Sequence, residues 1–288
     1  MARVTAAGIS LALDLVQLRT AAGLEPRQLA ERASLSVQAI WKIFNIEVTP
    51  KPSTVRLLAM ICDADPETVE RLAARALRIS KQRGDLPYIA SAPAEHADYL
   101  RVESEAQFIR AYEDGVVHGL LQTPAYQLAL INGGLEPPEH SVAERLVELR
   151  TQRQNAMLDS GTPIIAVVNQ GALERQVGGP EVMHEVLTRM LELSEQIELR
   201  VLGNEAGAHA ATNLSLQLLN FAREPASPKA SAGQFQVAFV EGPSGDELVV
   251  KPVETSRYAR IFEQVYGLSL NRSESRQRID TVRGRLSS

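Results

Sequence analysis

The chain has 288 residues, of which 44% are hydrophobic and 23% charged, with a formal net charge of −5. That length gives room for two domains with a buried core in each, and the composition excludes a disordered chain. A single cysteine, Cys62, excludes an internal disulfide, and the absence of a long apolar run or a basic-then-apolar leader makes the cytoplasm the expected location, with no membrane partner.

In chain order, the first part reads as all helix. Apolar Leu11, Leu15 and Leu18 recur at helical spacing and predict a helix over 9–22, stopped at Gly23. A short second helix follows over 26–33, then a turn at Ser34-Leu35-Ser36 and a third helix over 37–46. Two further helices are predicted over 53–62 and 66–82, with Pro26, Pro52 and Pro66 near helix starts and Ser53 and Asp65 as N-caps. Two short helices joined by a tight turn form the geometry that places a helix in a DNA major groove. Residues 1–85 carry 12 Lys/Arg against 9 Asp/Glu, while the remainder is net −8, so the sign at the N-terminus permits nucleic acid without demanding it. Cys62, beside Leu57, Leu58 and Ile61, reads as an inert buried thiol.

Charge, Gly and Pro mix over Lys81–Ser91, which sets the expected organisation: a helical domain over 1–82, a linker over 83–91 and a second domain over 92–288. In that second part, helices are expected at 104–113, 123–132, 139–159, 170–176, 180–195, 254–266 and 272–285. Strands are expected at 163–168, 197–202, 214–221, 235–240 and 247–250, with a polar loop over Ala222–Gly233. The fold class is therefore α+β and mostly helical, an all-α head followed by helices around a small sheet.

The runs AYEDGVVHGLLQTPAYQLAL (111–130), LVELRTQRQ (146–154), ALERQVGGPEVM (172–183), VLGNEAGAHA (201–210) and FVE (239–241) occur in this order. With the head, they resemble an actinobacterial regulator family in which a repressor-like helix-turn-helix is fused to a large C-terminal domain of poorly defined role. The resemblance implies a cytoplasmic DNA-binding regulator whose C-terminal domain receives a signal. Against the family's pattern, Glu25 and Pro26 replace the polar cap and Gln that open the second helix, Phe44 replaces a customary Glu, and Ile46 replaces a turn glycine. The DNA-facing candidates are Arg27, Gln28, Gln38, Ala39, Lys42, Lys51 and Arg56. Gln38 suits an adenine edge, Ala39 a thymine methyl, and Lys42 a guanine or a phosphate. Trp41 and Phe44, three apart, read as an apolar face covered by a second subunit, the C-terminal domain or a partner protein.

His96, His118, His140, His184 and His209 show no metal-ligand spacing, and P-loop, G-x-S-x-G and G-x-G-x-x-G motifs are absent, so no metal and no cofactor are expected. His118 stands where the family phrase carries proline. Tyr112, Gln122 and Tyr126 flank it, and His209 and Glu241 complete the ligand or catalytic candidates. Tyr99, Tyr112 and Tyr126 with Leu120 and Leu121 either line a cavity for a small apolar molecule or are core. Two classes of function are thus open. One is a homodimeric regulator of double-stranded DNA that senses a small molecule or a small partner protein. The other is a regulator scaffold turned to cofactor-independent cyclisation or rearrangement in specialised metabolism.

Overall fold

The computed structural model describes residues 3–82, 84–92, 94–223, 233–241 and 246–286. They form two compact units, one of residues up to 106 with 221–235, the other of 107–220 with the chain from 236 onward.

The first unit opens with α1 (Ala6–Ala21), capped by the Thr5 hydroxyl on the Gly8 N–H at 3.1 Å and ended by Gly23 at φ +66°. Then come α2 (Pro26–Arg32), α3 (Val37–Phe44), α4 (Pro52–Ile61) and α5 (Pro66–Lys81). Ser36 caps α3 and Asp65 caps α5, whereas α4 has Lys51 at its cap and Pro52 inside its first turn, so the expected Ser53 cap is not formed. Proline's fixed φ starts the helix two residues earlier than a cap at Ser53 would. Leu11, Leu15, Leu29, Ile40, Val55 and Leu72 pack the head's core. The segment read as a linker contains α6 (Pro87–Ala90), and α7 (Ala94–Ser104) follows.

Beneath this core lies a buried ion network. Asp14, with a side chain 0% exposed, accepts from Arg75 Nη1 and from Arg223 Nε at 2.8 Å and Nη2. Arg75 also reaches Ser10, and Arg223 reaches Gln17 at 2.9 Å. Ile46 adopts φ +63° where it turns the chain out of α3, yet its side chain is 8% exposed. A β-branched residue in the left-handed region carries about 1–2 kcal/mol of strain, which burial of its side chain offsets.

The second unit holds α8 (Pro124–Asn132), α9 (His140–Asp159), α10 (Gln170–Glu174), α11 (Pro180–Leu193), α12 (Pro252–Leu268) and α13 (Arg272–Arg285). The strands are β1 (Phe108–Glu113), β2 (Ile164–Asn169), β3 (Glu198–Leu202), β4 (Leu216–Arg223), β5 (Gly233–Val240) and β6 (Glu247–Val249), in sheet order β3-β2-β1-β4-β5-β6, with 221–223 of β4 and 233–235 of β5 counted in the first unit. β1, β2 and β3 run parallel, with Ala111 opposite Ala166 and Ala166 opposite Leu199, whereas β4 is antiparallel to β1. Tyr112, Val167, Leu218, Ala238 and Phe262 share one core.

The helix expected over 104–113 is corrected to a strand: α7 ends at Ser104 and β1 begins at Phe108. Phe108, Ile109 and Tyr112 suit a pleated surface, and a strand flanked on both sides by partners lacks the alternation that betrays an edge strand. Of the expected 222–233 loop, Ala222, Arg223 and Gly233 belong to β4 and β5, and the remainder lies outside the described residues. Among the described residues, no helix is long and apolar enough to cross a membrane.

Candidate functional site

Three places gather the residues singled out by sequence. The first is α3. Ile40 and Ile43 are buried, and their spacing fixes which side of the helix faces inward. Phe44, about 40° round from Ile40 at 100° per residue, follows them as a partly buried neighbour of the core, with the Arg19 guanidinium 6.0 Å from its ring centroid. Trp41, about 100° from Ile40 by the same rotation, turns outward and is 54% exposed, so this pair does not form one covered face. Val37 is 40% exposed, and Gln38, Lys42 and Asn45 are exposed beside it.

Flanking polar residues divide into engaged and open groups. Gln28 Oε1 accepts from the Glu25 N–H at 2.8 Å, which secures the start of α2 without the family's polar cap. Arg27 pairs with Glu31 at 3.2 Å, and Arg56 makes a bidentate pair with Glu70 at 2.7 and 2.8 Å, a hydrogen bond that raises the Arg56 pKa. Lys42 and Lys51 are exposed and have no acidic partner among the described residues. Ala39 is half-buried, its N–H held by the Ser36 hydroxyl at 3.0 Å. The outward face of α3 therefore carries two rows, Gln38 with Lys42 and Val37 with Trp41, each spaced four residues apart.

The second place lies at the carboxyl ends of the parallel strands, where open α/β sheets hold their polar groups and ligands. Tyr112 Oη donates to Asp114 at 2.9 Å, and Asn169 Nδ2 donates to both, at 3.3 and 3.0 Å. His209 Nδ1 accepts from the Ala211 N–H at 3.3 Å, which leaves the proton of the neutral ring on Nε2, 3.5 Å from Tyr112 Oη. Burial holds the Tyr112 phenol protonated far above the usual range. Asp114 is a sequence neighbour of Tyr112 in a candidate polar cluster, whereas Asn169 was not singled out by sequence; it reaches the pair only when β1 and β2 pair in register.

His118, Gln122 and Tyr126 gather separately, around one turn. Gln122 donates to the Val117 carbonyl at 2.6 Å, while Tyr126 Oη accepts from the Val117 N–H at 3.1 Å. His118 is 4% exposed, and its Nδ1 accepts from the Leu120 N–H at 3.3 Å at the start of a short 3₁₀ turn, Gly119–Leu121. Gln154 of α9 closes this turn by donating to the Gly119 and Gln122 carbonyls at 2.6 and 2.9 Å. These four side chains satisfy backbone groups that a buried turn would otherwise leave unpaired. Tyr112, Tyr126, Leu120 and Leu121 are buried within the second unit, whereas Tyr99 belongs to the first and donates to Glu103 at 2.6 Å.

Glu113, next to Tyr112 at the end of β1, stood in sequence only as a polar neighbour of Tyr112. It is buried, its Oε2 has no hydrogen-bond partner among the described residues, and its pKa is pushed up to about 8 by burial, reinforced by Glu241. Glu241 itself is exposed. Gln127 of α8 is likewise buried, with neither amide atom partnered among the described residues. Among the described residues, no cluster of His, Cys, Asp and Glu is arranged to hold a metal ion.

Residues 10–72 match the model of a helix-turn-helix domain, and residues 96–281 match the model of a domain of unknown function (DUF5753). No curated protein and no solved structure matches the chain.

Proposed function

Because the chain belongs to the DUF5753 family and carries a helix-turn-helix domain ahead of that region, which supports a DNA-binding regulator, we propose that it is a homodimeric transcription regulator. In this reading the second unit receives a small apolar molecule or a small partner protein and adjusts how the first unit holds double-stranded DNA. The outward face of α3 carries the proposal: Ile40 and Ile43 anchor the helix while Gln38, Trp41 and Lys42 remain exposed.

Two such heads engage successive major grooves when they stand about 34 Å apart or a multiple of it. A signal that changes this distance changes affinity, which supplies the coupling with a mechanical element. Arg27, Gln28, Lys51 and Arg56 then contribute to the backbone contacts. The Arg27 and Arg56 pairs are solvent-exposed and screened, so phosphates can displace Glu31 and Glu70. Tyr112, His118, Gln122, Tyr126, His209 and Glu241 are the candidates for signal reception.

The test is fluorescence anisotropy of the full chain on labelled promoter fragments of its own gene and its neighbours, at low salt. Salt-sensitive binding supports the reading, and no binding to any fragment sinks it. A second reading, catalysis by the second unit, has one observation behind it: Glu113 holds a proton near neutral pH and keeps one oxygen unengaged. Deleting the gene separates the two. Loss of transcription of neighbouring genes favours regulation, and accumulation of a single uncyclised metabolite, reproduced by Glu113→Gln, favours an enzyme.

A further inference from the structure

The exposed apolar row of α3 has no place in a helix that recognises only phosphates and polar base edges. We propose that Val37 and Trp41 read thymine methyl groups, so that the operator is specified by two thymines about two base-pair steps apart on one strand. This rests on the DNA-binding reading above.

The geometry leads there in three steps. Residues four apart on an α-helix are about 6 Å apart along its axis, and two base-pair steps along B-DNA span about 6.8 Å. A helix lying along the groove therefore meets bases i and i+2 with Val37 and Trp41. Both side chains lie in the exposed part of the helix, at 40% and 54% exposure, and Val37 and Gln38 open its first turn. In helix-turn-helix docking the N-terminal residues of the second helix meet the base edges.

The chemistry of the neighbours identifies the occupant. Gln38 and Lys42 run parallel to the apolar row, and Lys42 and Lys51 are exposed cations without an acidic partner among the described residues. A surface of this charge and polarity fits an anionic duplex. Two apolar side chains bordered by Gln38, Lys42 and Asn45 fall well short of the roughly 800 Å² per partner that a stable protein interface buries. A thymine C5-methyl needs only one apolar neighbour and is displayed in the major groove, where it separates A·T from the other pairs. Gln38, beside this row, matches the adenine edge of such a pair.

The experiment uses the full chain and a duplex selected by it from a random library. Each thymine is then replaced by deoxyuridine, which removes the methyl and leaves base pairing intact. Loss of one contacted methyl is expected to weaken wild-type binding about fourfold, and of two about fifteenfold. Trp41→Ala is expected to bind the thymine duplex about fourfold more weakly and to ignore deoxyuridine at one of the two positions; Val37→Ala is expected to ignore it at the other. Lys42→Ala weakens both duplexes equally and lowers the salt slope by about one. Trp41 is the only tryptophan in the chain, so its emission should shift to the blue and lose iodide quenching on the thymine duplex. Equal affinity for thymine and deoxyuridine duplexes at every position overturns the inference while leaving DNA binding intact. Failure to select any duplex at low salt overturns both. Burial of Trp41 on raising protein concentration without DNA assigns the face to self-association and also overturns the inference.

Discussion

Removing the Asp14 carboxylate should unfasten the first unit. The side chain is fully buried and receives hydrogen bonds from two guanidiniums, of which Arg75 is 3% and Arg223 24% exposed. Asp14→Ala leaves the Arg75 cation in the interior without its anion, and breaking a buried pair from one side costs about 3–5 kcal/mol. Arg223→Ala costs less, about 1.5–3 kcal/mol for hydrogen bonds to a charged group, because Arg75 continues to balance Asp14. Urea unfolding of the full chain, followed by Trp41 emission, reports the first unit alone, since that unit holds the only tryptophan. With a slope of about 2 kcal/mol per molar, Asp14→Ala should lower the midpoint by roughly 2 M. The double variant should cost at least about 1 kcal/mol less than the sum of the single ones. If the two losses add to within about 0.5 kcal/mol, or Asp14→Ala costs under about 1 kcal/mol, the network does not hold the head together.

Three further outcomes follow from individual residues. Glu113 binds its proton more tightly folded than unfolded, because burial raises its pKa from 4.5 to about 8. Stability of the second unit should therefore fall as pH rises through that window, by up to about 5 kcal/mol. Glu113→Gln should flatten the decline in urea titrations by circular dichroism at pH 5 and 8.5, and an unchanged slope would assign the pH dependence elsewhere. At Ile46, Ala keeps the left-handed strain and loses the buried side chain, whereas Gly loses the side chain but relieves the strain. Ile46→Gly should thus be more stable than Ile46→Ala by about 1 kcal/mol, the reverse of their order in ordinary helical positions, as thermal melts would reveal. Cys62 is buried with its thiol pKa raised by burial, so a thiol-reactive probe should label it only as the head unfolds; rapid labelling in native buffer would refute that.

Local signals carried the head. The Ser36 and Asp65 caps, Pro26 and Pro66 in first turns, and Gly23 as a stop each act within a few residues, and the helices form where those signals stand. The strands from Ile164 to Val249 were legible for the same reason. β1 was not, because Phe108–Glu113 owes its strand to neighbours at Ile164 and Leu219, far along the chain. The sites divide similarly. Lys42 and Gln38 stood out by position in the third helix, yet the separation of Trp41 from Phe44 depended on which side Ile40 and Ile43 would take. Asp14, Glu113 and Asn169 resemble any polar residue in a helix or at a strand end until their partners arrive. Arg223 is 209 residues from Asp14, and no periodicity connects positions that distant.

That separation bears on how such a head can be inherited or transplanted. The compact body around α1 is assembled from residues up to 106 together with 221–235, so one of the two counter-cations of Asp14 is encoded far downstream of the helices it steadies. A fragment ending before residue 221 takes Asp14 without Arg223. Grafted onto a foreign effector module, it should melt earlier than the same helices within the intact chain. Recombination that exchanges only the leading codons would pass on the outward face of α3 with half of its fastening.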